Sequence, residues 1–285
     1  MNKQPVINDL NSNSICRESI FKVSQNPNFN PHIPEIENKI PQQELGNVKS
    51  LNSKSHSPNL KISCNKIYTG HKEVKGKVNA LRTQEQIEQL KNYFLYHENK
   101  RTQNKSKGLR NYCLTVFGMN TMLRISDIVN FKIGNIINSD GSFKTGITIY
   151  EQKTGKKRAV IFNQAIREAV SLYLSSLKEY SLDDFLFKSN KSKNGVQQPI
   201  LPRSAWRIYN EAGKALGFTK IGLNLGTHSL RKTGARRNYE VALQQGNPEA
   251  LLIVSKALNH SSVRITQQYI DISETDVLQM MNNNI

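Results

Sequence analysis

The pattern of apolar positions changes character near residue 80. Upstream, short pairs such as Ile20-Phe21 and single residues such as Ile62 stand among Asn, Ser, Gln and Lys with no sustained period. Six of the nine prolines (Pro5, Pro27, Pro31, Pro34, Pro41, Pro58) fall in the same stretch and interrupt every candidate helix. Residues 1–76 therefore read as a disordered or weakly ordered N-terminal tail. From Leu81 a helical period sets in. Thr83 and Gln86 form a capping-box pattern, and Ile87, Leu90, Phe94 and Leu95 make one stripe, which predicts a helix over about 83–98. Leu109 to Met122 predicts a buried helix carrying Tyr112, Leu114, Phe117 and Met119, and Leu123 to Ile136 a short helix ending near Phe131.

The period then shortens. Phe143 to Tyr150 and Arg158 to Phe162 alternate with β-branched residues on either side of Gln152-Lys153-Thr154-Gly155-Lys156, which predicts a β-hairpin with a lysine-rich turn. Asn163 can cap a helix running to about Glu179, with Ile166, Val170, Tyr173, Leu174 and Leu177 as its buried face. Phe185-Leu186-Phe187 reads as a short extended piece, 188–200 as a charged loop, and Arg203 to Leu216 as a helix with Trp206, Ile208 and Tyr209. Thr227 to Asp271 predicts three or four helices, one opened by Asn247-Pro248 as a cap followed by a proline at the first helical position. A last segment, Ser273 to Met281, places Val277, Met280 and Met281 on one side. The fold class is α+β, mainly α: one domain over 77–285, with a small antiparallel β-sheet and a C-terminal helical tail.

Charge narrows the partners. The 40 Lys+Arg against 22 Asp+Glu give a formal +18 and a pI near 9.8, the footprint of a protein that binds polyanions, with nucleic acid first among them. No apolar run approaches the roughly 20 residues that span a bilayer, and neither a signal-peptide core nor a lipidation signal stands at Met1-Asn2. A cytoplasmic, DNA-associated protein with no membrane partner is expected. Cys16, Cys64 and Cys113 are odd in number and far apart, so they form neither a disulfide framework nor a CxxC metal knuckle.

The candidate chemistry lies mostly in the last third. His228 and Arg231 are three apart and share a face if their segment is helical; His260 follows an apolar run, and Tyr269 comes nine residues later. A phenol, with a pKa of about 10, attacks a phosphodiester only if its proton is taken and the charge gathering on phosphate meets fixed cations. Guanidinium suits that role, because its planar fork matches two phosphate oxygens. Alone, Arg124 or Lys153 reads as a solvated charge, His228 as a cap neighbour and Tyr269 as a half-buried aromatic. Only their joint order makes a site.

In order and type, Arg124, Lys153, His228, Arg231, His260 and Tyr269 resemble the active-site signature of the tyrosine recombinase (phage integrase) family. The pieces that carry the resemblance are LRISD, QKTGKKRAVIF, THSLRKT and ALNHSSVRITQQYI, within a stretch from about Leu81 to Ile272. It implies that Arg124 and Arg231 clamp the scissile phosphate and that Lys153 protonates the leaving 5′ oxygen, with Lys156 and Lys157 as alternatives. It makes His228 a proton-transfer or hydrogen-bonding group and His260 the last donor to the phosphate. Tyr269 becomes the nucleophile that forms a 3′-phosphotyrosine, and Asp127 a site-orienting residue that does not react. No metal or other cofactor is implied.

Two departures stand out: Asn259 occupies a position where the family most often has glycine, and residues 1–76 do not resemble the family's separate DNA-gripping helical domain. The chain is similar to short, single-domain members such as the recombinases that invert fimbrial promoters, a class associated with mobile genetic elements. The resemblance implies double-stranded DNA as partner, a homo-tetramer on two DNA sites, and in some systems an accessory DNA-bending protein. The tail 273–285 would dock on a neighbouring subunit or fold back on its own domain. Arg203, Arg207, Arg236, Arg237 and Arg264, with Lys156 and Lys157, are candidate phosphate contacts. Two alternatives stay open: a type IB topoisomerase-like nicking-closing enzyme, which usually carries lysine where His228 stands, and a catalytically silent DNA-binding regulator.

Overall fold

A computed structural model describes residues 21–22, 78–96, 105–193 and 196–270. Apart from a two-residue strand, β1 (Phe21–Lys22), the N-terminal tail expected over 1–76 lies outside the described residues, as does the segment 273–285.

Helix α1 (Gln84–Tyr96) starts at the expected box: Thr83 Oγ1 accepts from Gln86 N at 3.1 Å, and Gln86 Oε1 accepts from Thr83 N at 3.3 Å. Its stripe buries Ile87, Leu90 and Phe94 against α2 (Lys105–Thr121). Phe117 of α2 anchors the core, with its ring edge-on to Phe131 at 5.0 Å and to Phe187 at 5.7 Å. Cys113 is fully buried beside it, and burial pushes its thiol pKa up. After α2 come α3 (Ile125–Ile128), a 3₁₀ turn (Ile133–Asn135), and the hairpin of β2 (Gly146–Tyr150) and β3 (Lys157–Ile161), antiparallel with Tyr150 opposite Lys157. Helix α4 (Gln164–Leu174) begins where Asn163 Oδ1 accepts from Ile166 N at 3.1 Å.

Two expectations change here. Helix α4 ends at Leu174, not near Glu179: the Ser175 and Ser176 hydroxyls bond back to the Leu172 and Tyr173 carbonyls at 2.9 and 2.6 Å, competing with the helical ladder. Glu179 lies instead in β4 (Glu179–Tyr180), antiparallel to β1. The stretch 188–200 is not a plain loop but holds the strands β5 (Lys188–Lys193) and β6 (Val196–Pro199), a hairpin whose polar composition carries no apolar alternation to announce it. Among the described residues the named strands thus form three separate two-stranded ladders.

Four helices complete the described chain: α5 (Pro202–Ala215), α6 (Thr227–Gln244), α7 (Ala250–Ala257) and α8 (Val263–Ile270). Asn247 caps a turn rather than the helix itself, accepting from Glu249 N at 2.9 Å, so α7 starts just after the Asn-Pro pair. Helices α2 and α6 cross closely at two glycines. A Cβ on Gly234 would overlap the Met119 carbonyl oxygen, and one on Gly118 would stand 2.7 Å from Leu230 Cδ1. Beyond that crossing, Met122, Ala235, Val254, Leu258 and Ile270 form a second, smaller apolar cluster with Tyr269 at its edge. No helix among the described residues is long and apolar enough to cross a membrane.

Candidate active site

The end of α2 sets the first arginine. Met122 takes a left-handed backbone (φ 52°), and the chain re-enters helix at α3 with Arg124 as its N-cap residue. Arg124 Nη1 donates to Glu151 Oε2 at 2.7 Å. Glu151 is buried at the end of β2 and also accepts from Thr154 Oγ1 at 2.7 Å and from Arg158 Nη1 at 3.3 Å. Burial alone would raise its carboxyl pKa; hydrogen bonds from Thr154, Arg124 and Arg158 and the charge of Arg124 outweigh this, and the net shift is downward. Asp127, buried one turn into α3, accepts from Gln152 N at 2.9 Å through Oδ1 and so pins the hairpin turn to the helix. Lys153, Lys156 and Lys157 are all exposed on or beside that turn. Lys156 Nζ is directed to the Asn259 carbonyl at 3.4 Å, whereas Lys153 is near enough to His228 to depress its pKa.

Helix α6 supplies three side chains to the site. His228 is exposed in its first turn, and Arg231, on the same face, is 2% exposed. Arg231 Nη2 donates to the Leu258 carbonyl at 2.8 Å, while its Nη1 is buried with no hydrogen-bond partner. Lys232, the next residue, is also buried.

The turn between α7 and α8 brings the remaining two groups. Asn259 N donates to Lys256 O and His260 N to Ser255 O, the paired bonds of a Schellman motif, with Asn259 in the left-handed region at φ 58°. That geometry is why glycine is at home in this position and why asparagine, the next most tolerant residue, can replace it. His260 Nδ1 shares a 2.9 Å hydrogen bond with Thr266 Oγ1. The Tyr269 ring stands edge-on to His260 with centroids 5.2 Å apart; its centroid is 5.8 Å from Arg231 Cζ and 5.6 Å from Lys232 Nζ.

The electrostatics follow from crowding cations around a half-buried phenol. Burial raises the Tyr269 pKa; the charges of Arg231 and Arg124, and last a hydrogen-bonding contribution from Arg231, pull against it without cancelling it. Burial lowers Arg231 to about 10. Desolvation, then the charges of Arg231 and Arg124, lower His260 to about 4. His228 keeps an open surface, but the groups crowded around it still lower its pKa, by desolvation first and then by the charges of Arg231, Arg124, Lys232 and Lys153. At neutral pH His260 is therefore a neutral imidazole set among cations, and an anion entering the site meets fixed positive charge.

The six residues picked from the sequence thus come from five separate segments to one place. Of the other candidates, Arg203, Arg207 and Arg264 are exposed, and Arg207 lies 3.9 Å from Glu211. Arg236 and Arg237 both pair with Glu240, at 2.8 and 3.2 Å, so their charges are partly balanced within α6. Sequence reasoning missed Glu151, Thr154, Arg158, Lys232 and Thr266. Glu151 carries one legible signal, as the only acidic residue in the basic run EQKTGKKR. Among the described residues no group of three or more His, Cys, Asp or Glu could hold a metal ion.

Comparison with known proteins agrees with this geometry. The phage integrase family model matches residues 82–276. The probable integrase/recombinase YoeC of Bacillus subtilis (strain 168) is 34% identical over 197 residues, covering 69% of this chain and 91% of YoeC. The tyrosine recombinase XerA of Pyrococcus furiosus is 27% identical over 162 residues, covering 56% of this chain and 50% of XerA, so the chain spans about half of that relative's length. Among solved structures, XerA recombinase superposes with a TM-score of 0.51 at 20% identity, covering 74% of this chain and 66% of that one. XerH bound to a palindromic difH substrate in a post-cleavage complex gives 0.51 at 18% identity, covering 73% and 54%. At these identities the two structures show a shared fold.

Proposed function

The chain belongs to the phage integrase family, and from that premise we propose that it is a site-specific DNA recombinase cutting and rejoining strands through a covalent 3′-phosphotyrosine on Tyr269. The observation that carries the reading is Arg231: a guanidinium 2% exposed, held at Nη2 by the Leu258 carbonyl, with Nη1 buried, unpartnered and beside the Tyr269 ring. Buried donors are almost always paired, and one left over at a site ringed by cations suits an anionic oxygen.

In the proposed step the Tyr269 phenolic oxygen forms a bond to phosphorus as the P–O5′ bond breaks. The electron pair leaves on O5′, which takes a proton from Lys153, and the phenolic proton passes to the neutral His228 imidazole. Arg124 and Arg231 hold the non-bridging oxygens, and His260 adds a hydrogen bond while Thr266 fixes its ring. Rejoining reverses the step: a 5′-hydroxyl of the partner strand attacks, and the phenol regains its proton. One phosphoester replaces another at each stage, so no nucleotide is consumed. Asp127 orients the Lys153 turn through Gln152 N.

Double-stranded DNA as partner is supported by the +18 charge and by XerH, whose complex holds a DNA substrate. A tetramer on two sites, with or without an accessory DNA-bending protein, is the assembly in which two duplexes exchange strands. The relatives named are integrases and recombinases, which does not favour the topoisomerase alternative.

The test uses a pool of labelled, nicked duplexes, from which the loss of a short fragment traps the covalent species. Wild type should yield a detergent-resistant protein–DNA adduct, and Tyr269→Phe none. Relaxation of a supercoiled plasmid with no joined product would point to nicking-closing. DNA binding with no adduct under any condition would point to a silent regulator.

A further inference from the structure

We propose that Glu151 is a positioning residue that locks Arg124 and the Lys153 turn into one unit, so that the phosphate clamp and the proton donor are set together. The inference rests on the reading that these two groups act on one phosphate. Its basis is that one residue serves both. The Glu151 side chain receives Arg124 Nη1 and Thr154 Oγ1 on the same oxygen, Oε2, each at 2.7 Å, and Arg158 Nη1 on Oε1 at 3.3 Å. Its backbone closes the turn: Gly155 N and Thr154 N donate to Glu151 O at 2.7 and 3.3 Å, and Glu151 N donates to Lys156 O at 3.0 Å. Lys153 sits between these anchors. Arg158 extends the unit to the end of α2 by donating to the Thr121 carbonyl at 2.7 Å.

A buried carboxylate is costly unless its oxygens are engaged, and here both are. Arg124 has five donors and gives Glu151 the Nη1 end, so the pair can aim the guanidinium while it binds a second anion. Gln at 151 would keep the volume but lose the charge and turn an amide N–H toward one of the donors that Glu151 now satisfies. Arg124 would then lose its ionic anchor, and the turn would keep its backbone bonds and Asp127 but lose its tie to Arg124.

The experiment measures single-turnover adduct formation by the full chain on two nicked duplexes. One carries an ordinary scissile phosphate. The other carries sulfur in place of the 5′ bridging oxygen, so that P–S breaks and a thiolate leaves with the electron pair and without needing a proton. Lys153→Ala should be slow on the first and return to near the wild-type rate on the second. Glu151→Gln should lose about 10²-fold on the first and recover only about tenfold on the second, the remainder reflecting the misplaced Arg124, with DNA affinity unchanged.

Thr154→Val removes the side-chain link between Glu151 and the turn, together with a long 3.4 Å contact from Lys156 N within the turn, and leaves Arg124 on Glu151; it should be slowed on the oxygen substrate and recover fully on the sulfur one, and it decides the matter if Glu151→Gln does not fold. The proposal is overturned if Glu151→Gln recovers fully, recovers not at all, or cleaves both substrates at the wild-type rate, and equally if Thr154→Val cleaves the oxygen substrate as wild type does. A wild-type protein that forms no adduct on either duplex would instead remove the recombinase reading beneath it.

Discussion

Asn259 shows how one backbone angle places a catalytic candidate. Its φ of 58° reverses the chain at the end of α7 and delivers His260 to the ring of Tyr269. A side chain branched at Cβ or lacking a local polar group pays for that region with roughly 1 kcal/mol or more. Asn259→Gly should therefore leave urea stability nearly unchanged, whereas Asn259→Ala lowers it by about 1 kcal/mol. His260 makes a second prediction. Its folded pKa, about 4, lies below the ordinary imidazole value, so between those values the unfolded chain binds a proton that the folded chain does not. Stability should fall as pH drops from about 6.5 toward 4, and thermal melts of His260→Gln should show a smaller decline over that window. Arg231→Lys keeps the charge but loses the fork that bonds Leu258 and faces Tyr269; adduct formation should drop about 10²- to 10³-fold with little change in DNA affinity.

The elements carry these residues because α2 and α6 approach without side chains between them at Gly234. Arg124 follows α2 and Arg231 rides on α6, so the crossing sets the spacing of the two guanidiniums. Gly234→Ala should destabilise the chain by about 1–3 kcal/mol, read by denaturant unfolding, and slow adduct formation in the fraction that stays folded.

At this scale the sequence was readable wherever apolar period and caps agreed: Thr83 and Gln86 fixed α1, Asn163 fixed the start of α4, and alternation over 143–162 fixed the hairpin. It was silent where backbone choice depends on local hydroxyl bonding, as at Ser175 and Ser176, or where a hairpin has no apolar face, as over 188–199. The six residues of the motif were readable as a pattern, but their supports were not. Glu151 stands out as the lone acid in EQKTGKKR, but its pairing with Arg124, like the approach of Lys232 to Tyr269, joins segments far apart in the chain, which no local spacing encodes.

For the whole molecule, the +18 charge predicts DNA binding dominated by released counterions. Affinity should fall steeply between low and physiological salt, and if exposed candidates such as Arg203, Arg264 and Lys157 each meet a phosphate, replacing one with Ala should reduce the log–log salt slope by about 0.9. Arg236→Ala should change it less, since Glu240 already balances that charge. The central claim, that Tyr269 is the atom-bearing residue of the covalent link, is tested most directly by digesting the trapped protein–DNA adduct and locating the nucleotide by mass spectrometry. The predicted result is a single modified peptide carrying a 3′-phosphonucleotide on Tyr269. Attachment to any other residue, or strand cleavage with no attached nucleotide, would contradict it.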